Sequence, residues 1–237
     1  MRKGFVFQIA GDQHLPSLVQ YGLDNFRDAG WCFCTPAISI VYSRWFRPDE
    51  LGIPVQNRPE HGFPNTGNYK DAFGNLNYVY AIGNPDNFKK SPNRYMFEHD
   101  KSAGFGYVIF DQKERNITME SWRFLANLSE HTSKNQHQGW PLTISQFDNY
   151  GRNAVAWLPT LKIEGPANPV VEVLNLNTGD REYIVRIKGN EFAPKVFSRE
   201  NYSIKVGYPE KGIWKELKNL QGSDTKGESI VKISFSN

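Results

Sequence analysis

The chain has 237 residues, with 28 Lys and Arg against 25 Asp and Glu, for a formal net charge of +3. So mild a charge, scattered among acids, excludes the concentrated basic stripe of a nucleic-acid binder. No apolar run approaches the ~20 residues of a membrane helix, and two cysteines cannot build a disulfide framework. Residues 4–10 (GFVFQIA) read as a buried strand, because strands covered on both faces are apolar throughout. The apolar stretch after Met1, Arg2 and Lys3 is too short for a signal peptide. Gly11–His14 form a polar turn, Pro16 and Ser17 suit a helix start, and Leu15, Leu18, Val19, Gly22, Leu23 and Phe26 recur at helical spacing, with Gly30 as the stop.

Trp31–Tyr42 then reads as a strand interrupted at Thr35 and Pro36, and 44–69 as a long irregular excursion. Residues 76–82 form a strand, 83–103 a loop, 104–122 a β-hairpin turning at 111–115, and 127–153 a polar loop. The composition changes near residue 157. Seven short strands in 161–235, with a turn at Asn177–Asp180, give the pattern of a small immunoglobulin-like sandwich, with a boundary at 156–160.

Three groups of residues could carry chemistry. Asp12 and His14 stand two apart at a strand end, where α/β sheets place their sites. In an extended segment both would face one way, and carboxylate plus imidazole suits Zn, Fe or Mn; the bland alternative is a turn residue and a hydrogen-bonded histidine. Arg44 and Arg47 flank Trp45 and Phe46, and Arg grips phosphate bidentately; alternatively they are solvated or paired to Asp49 and Glu50. Cys32 and Cys34 share a strand face and read as inert packing thiols. His61, His99, His131 and His137 lie in loop-like segments and read as exposed or locally bonded. Trp140 and Trp214 are candidate surface contacts or core residues.

The strings IAGDQHLPSLVQYGLDNFRDAGWCFCTPAIS and YSRWFRPDE, with PNTGNYKDAFGNLNYVYAIGNP, SAGFGYVIFDQKERNITMESW and QFDNYGR, resemble the alkaline phosphatase D type (PhoD-like) metallophosphatases of the calcineurin-like metallophosphoesterase superfamily. The resemblance covers about residues 4–160. It implies a hydrolase of phosphate mono- or diesters acting at a two-metal centre of Ca, Fe, Mn or Zn. Gly11-Asp12-Gln13-His14 matches the family's late Gly-Asp-x-His motif, making His14 a metal ligand and placing Asp12 at or beside the centre. The earlier motifs, ending in Gly-Asn-His-Asp/Glu, have no counterpart: Gly67-Asn68-Tyr69 and Gly74-Asn75-Leu76 do not match.

The expectation is therefore a C-terminal fragment or subunit of a metal-dependent phosphatase, truncated or split, inactive without a separate N-terminal catalytic half. Its fold class would be α+β: the rear of a metallophosphoesterase α/β sandwich over 1–155, then an all-β sandwich over 156–237. Phosphate-ester substrate is the expected partner, with neither nucleic acid nor a membrane span. Relatives are often exported. The alternative is a non-catalytic remnant or binding module using the C-terminal sandwich.

Overall fold

The computed structural model describes residues 4–53, 55–86, 91–130, 133–146 and 152–235. Met1–Lys3, Lys89, Lys90, His131 and most of the QFDNYGR string lie outside them. The described residues are mostly β-strand, arranged in several sheets. They divide into two compact units, one within 6–151 and one formed by 152–235 with Gly4 and Phe5.

The first unit holds strands β1 (Phe7–Ala10), β2 (Ser17–Gly22), β3 (Trp31–Cys34), β4 (Gly67–Lys70) and β5 (Leu76–Ile82) in one sheet of order β1-β3-β2-β5-β4. A second sheet has β6 (Gly104–Asp111), β7 (Asn116–Arg123) and β8 (Leu142–Ser145) in that order. The hairpin expected at 104–122 and the strand expected at 76–82 are both present. Leu18, Phe33 and Ala81 from the first sheet, and Ile117, Met119 and Ile144 from the second, are buried. Gly106 marks a close approach of β6 to β3: a Cβ there would sit 2.5 Å from the Thr35 methyl and 3.0 Å from the Phe33 ring.

Several expectations fail here: the strand read over Trp31–Tyr42 stops at Cys34, where Thr35 and Pro36 follow, and the loop read over 127–153 contains β8, which pairs with β7. Residues 15–26 are not a helix; β2 occupies 17–22, antiparallel to both β3 and β5. Leu18 and Gln20 both face the interior, so the burial period is two. The buried Gln20 amide donates to the Arg27 carbonyl at 2.9 Å and the Ala29 carbonyl at 3.3 Å. The chain then turns around buried Asp28, whose carboxylate accepts from the amides of Leu23 (2.6 Å), Asp24 (3.3 Å) and Asn25 (3.1 Å). Neighbouring strands, which satisfy the backbone of 17–22, thus override its helical spacing.

Likewise, β1 is not buried. It is an edge strand, parallel to β3, and Gln8, Ile9 and Ala10 are exposed. Residues 83–103 are not all loop: α1 (Arg94–Asp100) begins at Asn93, whose side-chain carbonyl accepts from the amides of Tyr95 (2.9 Å) and Met96 (3.2 Å). With seven residues and none buried, it offers no apolar stripe for sequence periodicity to find.

The second unit is built of strands. They are β9 (Ala156–Trp157), β10 (Thr160–Glu164), β11 (Val170–Asn175), β12 (Arg181–Arg186), β13 (Glu191–Phe192), β14 (Lys195–Val196), β15 (Asn201–Tyr208), β16 (Ile213–Gln221) and β17 (Ile230–Ser234). They form a four-stranded sheet of order β12-β11-β15-β16, a three-stranded sheet β13-β10-β17 and the pair β14-β9. Val171, Val173, Tyr183, Tyr202, Ile204 and Val206 are buried from the larger sheet, Leu161 and Ile163 from the smaller. The expected turn joins β11 to β12, with the Asn175 side chain accepting from the amides of Asn177 (2.9 Å) and Thr178 (3.2 Å).

Candidate functional site

β1 delivers the chain into a turn pinned to β3: the Thr35 amide and hydroxyl donate to the Ala10 carbonyl at 2.9 and 3.2 Å. Asp12 (φ 60°) and His14 (φ 55°) are both left-handed, so strand alternation does not orient them. The turn still brings His14 Nε2 to 3.7 Å from Asp12 Oδ1. The His14 side chain is 12% exposed and that of Asp12 98%.

The His14 ring is fixed from its other nitrogen. Nδ1 lies 2.9 Å from the Tyr42 carbonyl oxygen, and the Tyr42 ring packs against the imidazole at 4.8 Å between centroids. A carbonyl only accepts, so Nδ1 carries the hydrogen, and Nε2 is the nitrogen on the side of Asp12. Tyr42 belongs to a segment held from behind: the Ile40 amide donates to Glu98 Oε2 at 2.8 Å, and Lys101 Nζ donates to the Ile40 carbonyl at 2.5 Å. Arg44 joins the cluster by donating to Gln13 Oε1 (3.2 Å) and to the Tyr42 hydroxyl (3.3 Å).

Arg47 is engaged elsewhere. Its guanidinium lies 3.2 Å from Glu50 and donates to the Pro85 carbonyl at 3.1 Å. Asp49 instead takes Arg58 at 2.8 Å, and that guanidinium holds the Asp49 carboxyl below its usual range. The loop expected to carry a phosphate grip is thus a clasped structure. Phe46 is pinned by the Asn84 amide, which both donates to and accepts from its backbone at 2.9 Å.

Cys32 and Cys34 are free thiols; Cys34 is buried, and burial pushes its thiol up. Tyr21 is pushed up to about 12 by burial and by its hydrogen bond with Cys32. Trp140 is buried, whereas Trp214 is 39% exposed and lies against Gly207.

Sequence reasoning missed His137. It is 3% exposed, not a surface loop histidine. Nδ1 lies 3.0 Å from the Ser121 hydroxyl, while Nε2 finds no hydrogen-bond partner among the described residues. Burial above all, with Arg123 adding repulsion, lowers its pKa to about 3. Nothing in the spacing around Gln136–Gln138 signals this, because the burial comes from β7 and from Gly83, which meet only in the fold.

As a metal centre, the cluster offers two donors, His14 Nε2 and an Asp12 carboxylate oxygen. The donor chemistry fits a first-row metal: metal-binding histidines characteristically donate their other N–H to a carbonyl or carboxylate, as Nδ1 does here. The donor count is short of the three protein ligands usual in catalytic zinc sites, and no group of three or more His, Cys, Asp and Glu stands together among the described residues. No helix among them is long and apolar enough to cross a membrane.

Comparison with protein-family models, curated proteins and solved structures finds no match for this chain.

Proposed function

We propose that the chain is part of a PhoD-like, metal-dependent phosphate-ester hydrolase of the calcineurin-like type. The observation that carries the reading is the fixed orientation of the His14 ring, with Nδ1 on the Tyr42 carbonyl and Nε2 3.7 Å from Asp12. In this reading His14 and Asp12 hold a Ca, Fe, Mn or Zn ion, and Tyr42 keeps the imidazole aimed. When bound, the metal supplies charge for the phosphoryl oxygens and an activated water. Arg44 sits beside the pair through Gln13 and is the guanidinium positioned to bind a phosphate-ester oxygen. Arg47 is not at this cluster's hydrogen bonds and leaves the proposed grip. Two donors alone bind metal weakly, so the reading requires further ligands from another polypeptide segment or subunit, the catalytic half the family pattern implies.

For the second unit we propose an immunoglobulin-like sandwich. It is supported by Tyr202 near the start of β15, whose hydroxyl donates to the Ser198 carbonyl at 3.1 Å, as the tyrosine corner of such domains does.

The test is calorimetric titration of the chain with Mn and Zn, alongside hydrolysis of p-nitrophenyl phosphate. One weak site is expected, lost in His14→Ala with melting unchanged. Metal binding unaffected by His14→Ala, or turnover that persists in that variant, overturns the proposal.

A further inference from the structure

Two adjacent cavities in the first unit involve neither Asp12 nor His14. The first, about 270 Å³, is lined by Arg47, Glu50, Asn84, Asp86, Arg123 and His137 among others. The second, about 410 Å³, is lined chiefly by rings: His61, Phe63, Tyr80 and Trp140, with Lys134 joining them. His137 and Gln138 line both, which places the cavities side by side. Volumes of this size suit a small organic ligand.

The polar chemistry of the pair is incomplete. His137 Nε2, Arg123 Nε and the Trp140 indole N–H are all buried without a hydrogen-bond partner among the described residues. A buried polar group without a partner is costly, and three such groups gather around one pair of cavities. Charge points the same way. Among the described lining residues, three cations, Arg47, Arg123 and Lys134, stand with two carboxylates, Glu50 and Asp86, an excess of positive charge. Arg123 pairs with Asp86 through Nη2, which leaves its Nε–H outside that pair. Aromatic walls on one side favour a flat ring, stacked or edge-on. The ring compartment is itself fixed: His61 Nε2 lies 2.9 Å from the Tyr80 carbonyl, and its ring packs 4.7 Å from Phe63.

We propose that this pair of cavities binds a small aromatic oxyanion, its planar ring in the Phe63, Tyr80 and Trp140 recess and its carboxylate or phosphate at Arg47 and Arg123. The inference is independent of the metal reading, because it uses none of that cluster's residues.

The test is calorimetry on the full chain with benzylphosphonate and benzoate. Methylphosphonate, acetate and benzyl alcohol serve as ring-free and uncharged probes. The two aromatic anions are expected to bind at least about tenfold tighter than any of the three, the equivalent of one charge-assisted hydrogen bond. Arg47→Gln should weaken both aromatic anions about tenfold and leave benzyl alcohol unchanged. Phe63→Leu should weaken all three ring-bearing probes and leave methylphosphonate unchanged. If Phe63→Leu does not fold, Lys134→Ala, at an exposed position, should still weaken the anions alone. Tighter binding of benzylphosphonate assigns the natural ligand to phosphates, and tighter binding of benzoate to carboxylates. No binding at millimolar concentration, equal binding of ring-free and aromatic anions, or indifference to Arg47→Gln overturns the proposal.

Discussion

Acid should destabilise the first unit through His137, and the size of the effect follows from its burial. The imidazole is pushed down to about 3 in the fold, against an ordinary value near 6.5. Between these values the unfolded chain binds a proton that the folded one refuses, so stability rises with pH across the window and falls as pH is lowered through it. At most ~1.4 kcal/mol is lost per pH unit. From about pH 6 to pH 4 the loss from this one group is about 2.5 kcal/mol. His137→Asn keeps a polar atom near the Ser121 hydroxyl but cannot take up the proton. Urea unfolding of both proteins at the two pH values isolates the term, because acid effects on the carboxylates are common to both. The wild type should lose about 2.5 kcal/mol more than the variant. Equal losses would refute the reasoning, since they would mean that His137 protonates as readily in the fold as outside it.

Three further outcomes are expected. Asp28→Ala removes a buried carboxylate that holds three backbone amides of an exposed turn, and should lower the stability of the first unit by about 1–3 kcal/mol in urea unfolding. Gly207→Ala places a Cβ 2.1 Å from the Ile213 carbonyl oxygen and 2.8 Å from the Trp214 ring; since backbone cannot yield cheaply, melting of the second unit should fall by the equivalent of about 1–3 kcal/mol. Tyr202→Phe removes the bond to Ser198 from a buried site and should cost about 1 kcal/mol by chemical denaturation, with no loss of strand content by circular dichroism.

The strands were legible where side chains carried the pattern. β5, the β6–β7 hairpin and the runs at 161–235 are rich in β-branched and aromatic residues between clear turns. β2 was not, because its inward-facing Gln20 breaks the apolar alternation, while Leu18, Val19 and Gly22 happen to fit a helical period. Gln20 tolerates burial only because carbonyls of the Arg27–Ala29 segment meet its amide, a fact of tertiary structure. The composition of β1 suggested cover on both faces, but position at a sheet edge is set by its neighbours and not by its own residues. At the site, the pairing of Asp12 with His14 was anticipated, though for a different reason: a left-handed turn, not strand alternation, brings them together. The part of Tyr42 depends on a carbonyl, and backbone atoms leave no trace in the identity of the residue that carries them.

His14 and Asp12 are proposed to bind one metal ion together. Paramagnetic broadening of side-chain NMR signals on titration with Mn measures it most directly. The His14 ring and Asp12 signals are expected to broaden first, Tyr42 next, and all of this selectivity to vanish in His14→Ala. Broadening spread over the exposed carboxylates, with His14 no more affected than His61 or His99, would contradict it.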